Sequence, residues 1–180
     1  KVVMVKTRDN ARNWVVYHQG MGAGNWIYLN QNYPQSADVN YWNNTNPTNS
    51  VFSVSNTNYN ENNGNGENYI AYCFAEKTGY SKFGSYTGNG QSGNSAPFIY
   101  TGFKPAFVLL KNADGTYNWN MQDNKRDTFN PVDKHIAPNG NSAEATSSSY
   151  NVDFLSNGFQ LRNSLAVWNG SGNTHIYMAF

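Results

Sequence analysis

Residues 40–47 read NYWNNTNP, which sets two flat aromatic faces, Tyr41 and Trp42, among the amides of Asn40, Asn43, Asn44 and Asn46. A pyranose ring has one apolar face and a rim of hydroxyls. It binds where an aromatic plane is flanked by amide donors and acceptors. A further plane, Trp26, follows the Gly-rich stretch GMGAGN at 20–25. Trp26, Tyr41, Trp42, Asn43 and Asn44 are therefore the candidate carbohydrate-binding residues. The competing reading places these aromatics at a sandwich edge or against a neighbouring subunit.

Other chemistries find less support. His18, His135 and His175 are scattered, with no His-x-His or His-Glu-x-x-His spacing, so no metal site and no catalytic histidine is expected. GMGAGN lacks the Gly-x-Gly-x-x-Gly spacing of a dinucleotide loop and reads as a turn. NADG at 112–115 begins like a calcium loop but lacks the later ligands, and reads as a hairpin turn. Asp123, Arg126 and Asp127 in MQDNKRD are a charge cluster best read as salt bridges. No nucleophile stands with a base and an orienting group. No cofactor is expected, and the chain reads as non-enzymatic.

Twelve short strand signals must position these residues: 2–6, 13–18, 26–30, 51–55, 68–75, 82–87, 97–101, 106–112, 117–122, 151–155, 158–162 and 174–180. Gly/Asn-rich turns separate them, and no long window carries a helical period. Alternation puts Ile70, Tyr72 and Phe74 on one core face, and Ile176, Met178 and Phe180 on another. Cys73 falls on the opposite face from Ile70 and is expected to be buried. As the single cysteine it excludes an internal disulfide.

The chain repeats itself. NGNGENYIAYCF at 63–74 returns as NGSGNTHIYMAF at 169–180, with Asn63, Gly64, Gly66, Ile70 and Phe74 falling on Asn169, Gly170, Gly172, Ile176 and Phe180. The offset is 106 positions (169 − 63). VVMVKTRDNARNWVVYH at 2–18 returns as FVLLKNADGTYNWNMQD at 107–123, with Trp14 on Trp119 at an offset of 105 (119 − 14). Two tandem β-sandwich, jelly-roll-like units follow, 1–76 and 77–180. The second opens on residues 82–105, read as two strands around a turn. Nothing matching precedes Val2, so the first unit is expected to lack its front hairpin, and the chain reads as a piece of a longer one.

Composition agrees with an all-β chain. Aromatics make up 16%, charged residues only 13%, and the net charge is +1. Aromatic and β-branched residues favour strands, and Asn and Gly favour tight turns. No basic stripe marks a nucleic-acid footprint, and no apolar run reaches membrane-spanning length.

Several stretches together resemble a β-rich repeat domain of marine tailed-phage structural proteins: YIAYCFAEKTGYSKFGSYTGNG, APFIYTGFKPAFVLLKN, DNKRDTFNP, VDFLSNGFQLRN and HIYMAF. VVMVKTRDNARNWVVYHQGMGAGNWIYLN and YWNNTNPTNSVFSV resemble the domain that commonly precedes it. The resemblance implies a virion protein, tail fibre or other surface appendage, assembled in the host cytoplasm and carrying no catalytic residues. Its partners would be other copies of itself, with a trimer as first expectation, neighbouring virion proteins, and a host-surface glycan. The alternative is a carbohydrate-binding or glycan-cleaving module of a secreted bacterial protein.

Overall fold

A computed structural model describes residues 1–55 and 57–180. The chain is all-β and its described ladders are antiparallel. In chain order the strands are β1 (Val2–Thr7), β2 (Val15–His18), β3 (Asn25–Tyr28), β4 (Ser36–Ala37), β5 (Tyr69–Phe74), β6 (Lys82–Thr87), β7 (Phe98–Tyr100), β8 (Phe107–Asn112), β9 (Asn120–Asp123), β10 (Lys134–His135), β11 (Ala145–Thr146), β12 (Val152–Leu155), β13 (Gly158–Leu161) and β14 (Thr174–Ala179). A single helical turn, α1 (Ala166–Asn169), precedes β14.

Three sheets stack in layers. One runs β4-β3-β2-β1-β5, the next β6-β14-β8-β9, and the outer one β12-β13-β7; β10 and β11 form a small ribbon. β1 and β8 are nearly continuous apolar runs because both their faces are covered. Val2 and Met4 of β1 meet Leu109 of β8, Ile176 and Met178 of β14, and Trp119 in a core between the first two sheets. Val3 and Val5 face the other way, with Val15, Tyr17, Tyr41 and Trp42. Val108, Leu110, Tyr177 and Ala179 face the outer sheet, against Phe154, Phe159 and Leu161. The period of two thus feeds a core on each side of the central sheets.

Side-chain amides tie the turns. The Trp14 amide donates to Asn30 Oδ1 at 2.9 Å, and Asn30 Nδ2 donates to Asn13 Oδ1 at 2.8 Å. The Trp119 amide donates to Asn139 Oδ1 at 2.9 Å, and Asn139 Nδ2 to Asn118 Oδ1 at 2.9 Å. Asn130 and the backbone of Phe154 exchange two bonds, at 3.0 and 2.9 Å, as a paired strand residue would. Two lysines fold back on the turns that follow them. Lys6 Nζ reaches the carbonyls of Thr7 and Asn10, at 2.6 and 3.0 Å. Lys111 Nζ reaches those of Asn112 and Gly115 at the same two distances. Burial lowers the Lys111 ammonium to about 8.

Four expectations are corrected. Ile70 and Tyr72 are 37% and 48% exposed, whereas Ile176 and Met178 are buried. Cys73 is exposed. The cause is shared: β5 is an edge strand, while β14 lies between β6 and β8. The strands of 82–105 form but do not pair with each other; β6 joins β14 and β7 joins β13. The chain between them crosses the end of the sandwich, where Gly88 passes so close to Gly170 that a Cβ would lie 2.2 Å from its carbonyl oxygen. Finally, residues 51–55 carry no ladder; position 56 of the 51–58 segment lies outside the described residues.

Candidate functional site

The residues expected to bind carbohydrate divide into two groups. Trp26, on β3, stacks on Tyr41 with centroids 4.4 Å apart and planes 23° apart, and its other neighbour is Tyr28 at 4.5 Å. Tyr59 closes on Tyr41 at 4.8 Å. Trp42 is fully buried and meets Tyr17 edge-on at 5.8 Å. Asn43 and Asn44 are exposed and left-handed, with φ of 49° and 45°, in the turn after Trp42. Asn tolerates that conformation better than most residues, which explains the pair locally. Tyr41 and Trp42 therefore fill the core against Val3, Val5 and Val15 rather than offering open faces. Apolar burial takes the planes of Tyr41 and Trp42, while Trp26 is half-buried.

An open groove lies on the other half. It is a cavity of about 670 Å³ beside β9, β10 and α1. Its floor is His135 stacked on Tyr150, centroids 4.0 Å apart and planes 11° apart. Asn118, Asn120, Asn32 and Tyr117 stand on its wall. The Asn118 carbonyl accepts from Asn120 Nδ2 at 3.0 Å, and Asn118 Oδ1 accepts from Asn139. Among the described residues, the Asn118 NH₂ and the Asn120 Oδ1 have no protein partner. One donor and one acceptor thus remain free on amides that are otherwise held. His135 Nδ1 is buried without a partner. Burial lowers the His135 pKa, which favours the neutral ring.

The groove is open because small residues line it. Tyr28 stands two residues after Trp26 and packs against it; two residues after His135 stands Ala137. Ala137, Ala143 and Ala145 leave room beside the His135–Tyr150 stack, whereas Tyr28 and Tyr59 crowd the Trp26–Tyr41 stack. The sequence signal was the run of small residues at 137–149, opposite the aromatic of Tyr150.

The remaining motifs are turns and staples. Asp114 and Gly115 donate backbone N–H to Asn112 Oδ1, and Asp114 accepts from the Thr174 amide and from Gln35. Asp123 Oδ1 accepts the amides of Lys125 and Arg126, and its other oxygen pairs with Arg126 Nε at 2.7 Å. Asp127 accepts the amides of Asp133 and Lys134.

Over residues 1–180 the chain matches the model of a family described as a domain of unknown function, DUF7483. It is a member of the DUF7483 family. Comparison of this DUF7483 chain with curated proteins and with solved structures gives no match.

Proposed function

We propose that this DUF7483 chain is a non-enzymatic display module, a structural segment of a phage tail fibre or other surface appendage. Its rim would recognise host-surface carbohydrate. The observation that carries recognition is the groove at His135 and Tyr150: aromatic planes, a free amide donor and a free amide acceptor in about 670 Å³. A pyranose needs those features for its C–H face and its hydroxyl rim. The virion setting is supported by the resemblance of the motifs, and assembly into a homo-oligomer, three-fold first, goes with it.

The same reading takes the halves as tandem jelly-roll-like copies, joined by the crossing segment. Matching ladder registers support it. Val3 pairs with Cys73, and Val5 with Val15; 105 positions on, Val108 pairs with Ala179, and Leu110 with Asn120. Val16 faces Ile27, and Met121 bridges Ile136. Trp26 pairs with Ser36, and His135 with Ala145. The Trp26–Tyr41 stack then corresponds to the His135–Tyr150 stack.

The test is titration of the isotope-labelled chain with fragments of bacterial surface polysaccharides, followed by amide NMR. Shifts confined to residues 116–120, 135–137 and 150 are expected. No shift at millimolar glycan would overturn the recognition reading. Labelled antibody against the chain, imaged on purified virions, tests the setting separately.

A further inference from the structure

We infer that the free edge of β5 is a docking site for a strand–turn–strand segment of the β6–β7 kind, added antiparallel to β5. The argument starts from an imbalance between two matched strands. β5 and β14 pair with β1 and β8 in the same register, so Ile70 corresponds to Ile176, Ala71 to Tyr177, Tyr72 to Met178 and Cys73 to Ala179. β14 carries β6 on its far edge; β5 carries no strand there among the described residues. The consequence is visible in exposure. Ile176, Met178 and Ala179 are buried, whereas Ile70, Ala71, Tyr72 and Cys73 are exposed. An edge strand with apolar side chains and unpaired N–H and C=O groups is a template for strand addition.

The occupant's chemistry is read from β6. Phe83 pairs with Met178 and packs on Phe180 at 5.5 Å, so an aromatic belongs opposite Tyr72. Gly84 lies opposite Tyr177, and a Cβ there would meet the tyrosine hydroxyl at 2.8 Å. The matched residue on β5 is Ala71, so a small residue suits that place without having to be glycine. Tyr86 stacks on His175 at 5.0 Å, so a second aromatic belongs over Tyr69. After a polar crossing, β7 brings Ile99 into the core beneath Tyr177 and Ala179. A strand like it would cover Ala71 and Cys73. Lys1 stands before Val2 as Ala106 stands before Phe107, so a segment joined directly ahead of Lys1 can reach the edge as residues 82–100 reach β14.

The experiment appends a copy of residues 78–105 directly ahead of Lys1. A control carries the same extension with K82P and G84P, which remove ladder donors without touching the rest of the chain. Cys73 is the single cysteine, so its alkylation rate reports on the edge, and hydrogen exchange reports on the amides of 69–74. Docking predicts that Cys73 alkylation slows by at least about tenfold, the change that about 1.4 kcal/mol of pairing gives. The β5 amides should gain protection with the intact extension only. Equal rates with both extensions would overturn the inference. So would an unextended chain whose mass doubles with concentration as Cys73 becomes protected, because the occupant would then be a second β5.

Discussion

His18 Nε2 lies 3.0 Å from the carbonyl oxygen of Tyr177, joining β2 to β14 across the central core. Its Nδ1 accepts the Gly20 amide at 3.0 Å. The ring is thereby held neutral with the proton on Nε2; a second proton would set Nδ1–H against a backbone donor. Burial lowers the His18 pKa to about 4, and burial lowers His175 to about 4 as well. The folded state therefore holds fewer protons than the unfolded chain. The stability these rings contribute is present above about pH 6.5, is lost as pH falls toward 4, and falls no further below that. Each site accounts for on the order of 3 kcal/mol. Melting temperature measured from pH 7.5 to 3.5 should drop across that window. NMR should find His18 titrating near its lowered value. Melting that is flat to pH 4 would contradict this.

Trp119 is buried, and its indole N–H donates to the Tyr28 carbonyl at 2.8 Å. Trp119→Ala should cost about 3–5 kcal/mol, as large aromatic truncations in cores do. Trp119→Phe keeps most of the volume but orphans that carbonyl, and should cost less. Urea unfolding of the three proteins ranks them.

Ala137→Tyr should fill the groove with an aromatic ring, as Tyr28 packs beside Trp26. Glycan-induced NMR shifts should disappear while the melting temperature stays within a few degrees of the parent. Asn120→Ala removes one hydrogen-bonding group and should weaken glycan binding by about tenfold, the value of a typical hydrogen bond of about 1.4 kcal/mol.

Native chain should consume one equivalent of a thiol reagent without unfolding, because Cys73 is exposed and alone. Circular dichroism taken before and after modification should coincide. Modification that proceeds only in denaturant would show the thiol covered.

Much of the strand order was legible because the pattern of apolar residues carries it. β1 and β8 announce themselves as β-branched and leucine-rich runs. The two-residue strands of β4, β10 and β11 were not legible, since KH or AT has no period. Edge status was hidden too. YIAYCF and HIYMAF look alike, and what separates Tyr72 from Met178 is whether a strand lies beside them. The aromatic–amide pattern at 40–47 suggested sugar contacts but could not say that Tyr41 and Trp42 face the core. The groove escaped because it depends on the small side chains of Ala137, Ala143 and Ala145, which carry no aromatic or charged signal.

Neutral amides hold several turns of this molecule, Asn30 and Asn139 on the tryptophan bends, Asn130 on Phe154 and Asn112 on its own loop, while charged Lys6, Lys111, Asp123 and Asp127 hold others. Ion pairs such as Lys82–Glu76 and Lys1–Glu76 sit at the half-exposed margin. Dissolved salt weakens attraction between exposed charges but leaves amide-to-carbonyl bonds nearly untouched. The bends closed by these amides consequently keep their shape across a wide range of ionic strength, whether the surrounding medium is dilute or brine.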